Sequence, residues 1–260
     1  MEDLSATSAV SGIRRARRAW FLLLAISAGC SNFVGTTAKS FMSHIQSDPD
    51  PNKRYHAYAA LGKRNVFETP EQKMQAVDLL IAKLEESKEP LAIRAVICRT
   101  LGEIRDPKAR GILIKTIGHP EGILRAEACR ALGKIGQADD ASLLARVMTI
   151  DNLEDCRMAA IEGLGEMKAN DPRVIQILID GMEHDDPAIR MASLTALRKI
   201  SGKDLGIEID PWRKHFEPLM AQAAAPPVTN EVAAPKSVAP GQGGQPSKTT
   251  DPGVIKSTRP

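Results

Sequence analysis

Apolar residues return every three or four positions along most of this chain, in short runs broken by polar turns. Ile112, Leu113 and Ile117 fall on one stripe of a 3.6-residue helix. Leu124, Ala128, Ala131 or Leu132, and Ile135 fall on another, after the break at Gly118-His119-Pro120. Asp106-Pro107 opens the first run: Asp can cap the free N–H groups of a helix start, and Pro suits its first position. The pattern predicts an antiparallel helical hairpin whose second helix runs from Gly122 to Ile135. Val77, Leu80, Ile81 and Leu84 mark another first helix over 74–84, followed by a second over Leu91 to Ile104. Residues 141–148 and 156–167 form the next pair. Asp171-Pro172 and Asp186-Pro187 open the two helices of the last.

The second helices share a finer signature. An Arg is followed seven residues later by Leu at Arg54–Leu61, Arg94–Leu101, Arg125–Leu132, Arg157–Leu164 and Arg190–Leu197. The last four arginines are 31, 32 and 33 residues apart, and the first gap is 40. Gly62, Gly102, Gly133 and Gly165 follow the Leu in four copies, and Arg198 stands there in the fifth. A period near 32 implies one hairpin per repeat, stacked so that neighbours bury what no hairpin buries alone. The arginines read as structural, each stem packed between units and each head on an Asp or a carbonyl of the preceding repeat. Asp106, Asp139 and Asp171 are the candidate mates. The glycines read as packing or helix-end residues.

Ala92-Ile93-Arg94 with Leu101-Gly102-x-Ile104 recurs as Ile123-Leu124-Arg125 with Leu132-Gly133-x-Ile135 and as Ala188-Ile189-Arg190 with Leu197-x-x-Ile200; Cys156-Arg157 with Leu164-Gly165-x-Met167 is a fourth version. Over roughly residues 50–200 this resembles HEAT repeats, and more closely the short HEAT-like repeats of phycobilisome lyases. The resemblance implies an all-α fold, a HEAT-like α-α superhelix of about five helical hairpins. The expected organisation is a signal peptide over 1–29, a linker and irregular first repeat over 30–69 and the solenoid over 70–200. A capping segment follows over 201–220, in which Trp212, Phe216, Leu219 and Met220 cover the open end of the last repeat. The Ala-, Pro-, Gly-, Ser-, Thr- and Gln-rich tail, 221–260, is expected to be disordered, because it has too little apolar surface to offset its ordering entropy.

The N-terminus has its own logic. Arg14, Arg15, Arg17 and Arg18 precede a ten-residue apolar run, and small residues follow, the order of a secretory signal. A bilayer-spanning helix needs about 20 apolar residues. Ser27-Ala28-Gly29-Cys30 resembles a bacterial lipobox, with Ser27 where that motif usually has Leu. The resemblance implies cleavage before Cys30, diacylglycerol on its thiol, and acylation of the new amine by a fatty acid such as palmitate. Several acyl chains hold a protein stably on a membrane, each buried CH₂ contributing about 0.8 kcal/mol. The expectation is a lipid-anchored protein of the bacterial cell envelope, on its periplasmic or extracellular face. Net charge is +3, and the four arginines against Glu2 and Asp3 account for most of it. That balance gives no reason to expect nucleic acid as a partner.

Little in the chain points to catalysis. Cys98, Cys129 and Cys156 fall within the second helices and read as buried free thiols. His44, His56, His119, His184 and His215 have no metal-ligand spacing, and no phosphate-binding glycine motif is present. No cofactor, metal or small-molecule substrate is expected, and no enzyme activity. The phycobilisome-lyase resemblance implies an alternative, an enzyme accessory or lyase-like protein binding a pigment or cofactor between repeats. Against a pigment stands the lack of any Phe, Tyr or Trp between Phe67 and Trp212. The favoured reading is a scaffold that binds a protein partner on a concave surface of second helices. Arg99, Glu103, Arg130, Lys134, Glu162, Glu166 and Lys199 are the candidate contacts.

Overall fold

The computed structural model describes residues 35–224. Cys30, the predicted signal and the 225–260 part of the tail lie outside them. Every regular element among the described residues is helical. The helices pair as α1 (Ala38–Ser47) with α2 (Pro51–Leu61), α3 (Pro70–Glu86) with α4 (Leu91–Ile104), and α5 (Arg110–Ile117) with α6 (Gly122–Ile135). Then come α7 (Ala141–Ile150) with α8 (Glu154–Glu166), α9 (Pro172–Gly181) with α10 (Pro187–Ser201), and a final α11 (Ile209–Ala224). This is the expected stack of five hairpins, a HEAT-like α-solenoid. Residues 38–61 form a complete hairpin of the same plan.

Capping explains many of the starts. Thr37, Asp50, Thr69, Asp171 and Asp186 each accept an N–H of the first turn of their helix, and Pro stands at the first position after the last four. Asp106-Pro107 opens a short 3-10 turn, Pro107–Ala109, that leads into α5. Another such turn, Ala138–Asp140, leads into α7. In the 201–220 segment Asp210-Pro211 reads from the sequence as a helix entrance like the other Asp-Pro pairs. The pair does not precede its helix but lies in the first turn of α11, which starts at Ile209 and carries Pro218 inside. Pro is tolerated in a first turn because the N–H it lacks has no intrahelical partner there.

The second helices pack on one another in an unbroken row, α2 on α4, α4 on α6, α6 on α8 and α8 on α10. The repeated glycines make this close. A Cβ on Gly102 would stand 2.7 Å from the Ala131 Cα, one on Gly165 3.0 Å from the Ala196 Cα, and one on Gly133 would collide with the Gly163 backbone. The fifth copy has no following second helix, and there Arg198 replaces Gly and pairs with Asp204 at 2.8 Å. The first helices are more loosely arranged. Clefts of about 490 Å³ and 960 Å³ open between α5 and α7 and between α7 and α9. A stack bends toward its more closely spaced row, so the second helices form the inner face.

One apolar core runs from Ala38 to Phe216, and its largest fully buried side chains include Tyr58, Leu80, Ile97, Leu101, Leu113, Leu124, Leu132 and Leu144. Burial of each such Leu or Ile contributes about 1.5–3 kcal/mol. Trp212 and Phe216 are buried and Leu219 and Met220 pack partly against the same core, as their spacing predicts. They close it through α9, the first helix of the last hairpin. No described helix is long and apolar enough to cross a membrane.

Candidate functional site

The seven candidate contacts occupy two positions of the repeat. Arg99, Arg130 and Glu162 stand five residues after the repeated Arg; Glu103, Lys134, Glu166 and Lys199 stand nine after it. The difference of four puts both positions on one helix face. Stacking then brings all seven into one lattice on the inner row. Lys134 donates to Glu103 at 2.5 Å, Arg130 to Glu162 at 2.7 Å and Lys199 to Glu166 at 2.6 Å, each bond joining adjacent hairpins. The Lys199 bond holds the Glu166 carboxyl below its usual pKa. These are largely exposed pairs, worth about 0–1 kcal/mol each to stability.

Arg99 pairs with a residue that sequence reasoning missed. Its guanidinium donates to both oxygens of Glu127, at 2.6 and 3.1 Å, and Arg130 stands 3.5 Å away on the other side. Glu127 is only 6% exposed. Its signal was in the register: two residues after the repeated Arg stand Val96, Ala159 and Ala192 in other copies, and only here a carboxylate. Farther along the inner face the charge gives way to a groove of about 300 Å³, lined by Met158, Ala188, Met191 and Ala192 and edged by Glu162 and Lys199.

The repeated arginines lie on the edge where the helices of each hairpin meet. Four of the five curl back on the turn before their own helix, and Arg94 reaches forward to His119 instead. Arg54 donates to the carbonyls of Asp48 and Pro49, Arg125 to those of His119 and Pro120, Arg190 to those of His184 and Asp185, and Arg157 to that of Asp151. Two also reach forward. Arg54 holds Glu89 with bonds of 2.9 and 3.0 Å, and Arg125 holds Asp151 with bonds of 2.8 and 2.9 Å. The expected mates Asp106, Asp139 and Asp171 are not these partners. Asp106 and Asp171 spend their carboxylates on helix starts, and the true acids come from the following hairpin's turn. Tyr58 donates to Glu89 as well, and its burial in that cluster pushes the phenol pKa up. Outside this edge, Asp140 accepts two bonds from Arg110, at 2.6 and 2.8 Å.

Cys98, Cys129 and Cys156 are free and buried, as their positions predict. Burial pushes the Cys98 and Cys129 thiols up to about 12 and raises Cys156 also, so all three stay protonated near neutral pH. Among the described residues no cluster of His, Cys, Asp and Glu could hold a metal ion. The 960 Å³ cleft on the outer side is lined by Arg146, Lys168 and Arg173, by the carboxylates Asp139 and Asp171, and by the apolar Ala141, Ala145, Val174 and Ile177.

Comparison with known proteins agrees with this architecture. The fold is similar to that of the complex of CpcE and CpcF of phycocyanin lyase from Nostoc sp. PCC7120, with a TM-score of 0.55 and 22% identity over 74% of this chain and 73% of that one. An engineered protein, Northeast Structural Genomics Consortium target OR329, aligns with a TM-score of 0.45 and 15% identity over 63% of this chain and 79% of that one. No curated protein matches the chain. The family model for HEAT repeats matches residues 77–165 and 154–208, together half of the sequence. With the period, the stacked hairpins and the glycine contacts, this match establishes that the chain belongs to the HEAT-repeat family.

Proposed function

We propose that this protein is a non-enzymatic scaffold that binds a protein partner on its inner face. The observation that carries the reading is the lattice of Arg99, Glu103, Glu127, Arg130, Lys134, Glu162, Glu166 and Lys199, which runs over four successive second helices. It spreads charge of both signs over a continuous surface and ends in the Met158–Met191 groove. Such a surface selects a partner by charge register more than by depth of burial. The arrangement of residues 11–30 supports a further element, a lipid on Cys30 that keeps the scaffold on a membrane of the cell envelope. Intact-mass measurement of the native protein tests that element: loss of residues 1–29 with added acyl mass is expected, and retention of residues 1–29 without acyl mass rules the anchor out.

A second reading draws on the fold likeness to the phycocyanin lyase complex, which favours it over the envelope scaffold. In it the protein is an accessory to an enzyme and holds a pigment or cofactor between hairpins. The cleft between α7 and α9, lined by apolar side chains with three cations and two carboxylates, offers the space. Absorption and mass spectra of natively purified protein separate the two. A bound chromophore or cofactor supports the second reading, and a protein partner lost when inner-face charges are exchanged supports the first.

A further inference from the structure

The side chain facing each repeated arginine changes kind along the turn edge. Arg54 meets Glu89 and Arg125 meets Asp151, and both pairs are closed by several hydrogen bonds. Arg94 meets His119 instead, with Nη2 3.1 Å from the imidazole Nε2. His119 Nδ1 already accepts the N–H of Glu121 at 3.0 Å. A neutral ring therefore carries its proton on Nε2. Burial and the Arg94 charge hold the His119 pKa below its usual value, which keeps the ring neutral at pH 7. Arginine has no acceptor. The contact thus faces donor with donor, and Arg94 Nε is buried with no partner either.

Two N–H donors, on Arg94 Nη2 and His119 Nε2, face each other where the fold elsewhere places a carboxylate, while Arg94 Nε is shut off from solvent. The register makes the comparison direct: His119 stands six residues before Arg125, as Asp151 stands six before Arg157. Leu91 and Ile123, 38% and 49% exposed, lie at the starts of the two helices that carry Arg94 and Arg125. We infer that Arg94 and His119 form a receptor for one Asp or Glu side chain of a protein partner, with Leu91 and Ile123 taking the apolar residues beside it. A carboxylate has an oxygen for each of these two donors, and charge-assisted bonds to Arg are the stronger kind. A partner side chain is preferred to a free anion because of those two exposed apolar residues. The Glu121 and Arg125 charges, which act on His119 in opposite directions, complete the surroundings. Arg157 also has an unpartnered Nε, but it bonds the Asp151 carbonyl and has no imidazole within hydrogen-bond distance, so the inference is confined to Arg94. The site lies on the turn edge, apart from the inner-face lattice, and does not depend on that lattice binding anything.

The test is a titration of the full chain, labelled with ¹⁵N-histidine, with a capped heptapeptide centred on Leu-Glu-Leu, followed by NMR of the imidazole resonances. The His119 ring signals are expected to shift and saturate, with at least tenfold weaker binding when the central Glu is replaced by Gln. His119→Asp supplies the missing acid in the register of Asp151. Fluorescence anisotropy of a dye-labelled peptide is expected to show tenfold or greater loss of affinity in this variant, while the variant's melting temperature rises. Equal binding of the Glu and Gln peptides, undiminished binding by His119→Asp, or no response at millimolar peptide would overturn the inference. Inorganic phosphate shifting His119 as strongly as the peptide does would overturn the assignment to a partner side chain.

Discussion

Arg125 and Asp151 clasp each other across two hairpins, through bonds of 2.8 and 2.9 Å, while Arg125 also holds the two carbonyls of the turn before its own helix. One side chain thereby fixes its own hairpin and the next. The pair is mostly shielded, with 13% and 9% of the two side chains exposed. Removing one member strands the other: Arg125→Ala is expected to cost about 3–5 kcal/mol in urea denaturation. Arg190→Ala, which has only the carbonyl contacts, is expected to cost less than half as much. Equal losses would show that the forward clasp contributes little.

The same pair predicts a pH dependence. The Arg125 hydrogen bonds hold the Asp151 carboxyl below the ordinary carboxylate range. Burial pushes Asp140 the other way, but the Arg110 bonds and the Gln137 N–H outweigh it and leave its pKa lowered too. A group with a depressed folded pKa adds stability that is complete above its unfolded value, about 3.9, and is lost as pH falls through the folded value. Stability should therefore drop as pH falls below about 4. Asp151→Asn should be less stable at pH 7 and show a shallower acid slope. Denaturation series at several pH values in both proteins check this.

Two glycines make opposite predictions. A Cβ on Gly133 would collide with the backbone of Gly163, whereas one on Gly111, near the start of α5, meets nothing within 4 Å. Alanine favours a helix over glycine by about 1 kcal/mol. Gly111→Ala should stabilise by about 0.5–1 kcal/mol. Gly133→Ala should destabilise by about 1–3 kcal/mol, because the overpacking outweighs that gain. Thermal melts of the two variants test whether the second-helix row is as tight as described.

Much of this was legible from the chain. The spacing of Leu124, Leu132 and Ile135 marks the core-facing side of α6, and the bounds of α4 and α6 follow from their apolar periods. Gly102, Gly133 and Gly165 were recognisable as packing residues, though their contact partners on the next helix were not. The arginine partners escaped because the acid comes from a variable place in the next turn. Glu89 lies 35 residues after Arg54, and Asp151 only 26 after Arg125. The more regular carboxylates at hairpin starts, such as Asp106 and Asp171, serve helix capping instead. The inner-face charges recur at two positions of the repeat that periodicity makes visible, but their mutual pairing depends on the stacking offset between hairpins, which periodicity within one helix does not contain.

The central claim is that the inner face holds a protein partner through its charge register. Single reversals would break the Glu103–Lys134 and Glu166–Lys199 pairs and confuse loss of binding with loss of packing. Exchanging the members of each pair, as Glu103→Lys with Lys134→Glu and Glu166→Lys with Lys199→Glu, keeps both bonds and inverts the pattern a partner meets. The most direct measurement is crosslinking in the native cells with mass spectrometry, comparing this fourfold exchange with the wild type at matched melting temperature. The account predicts a reproducible partner that is lost in the exchanged protein. A partner set unchanged by the exchange would contradict it.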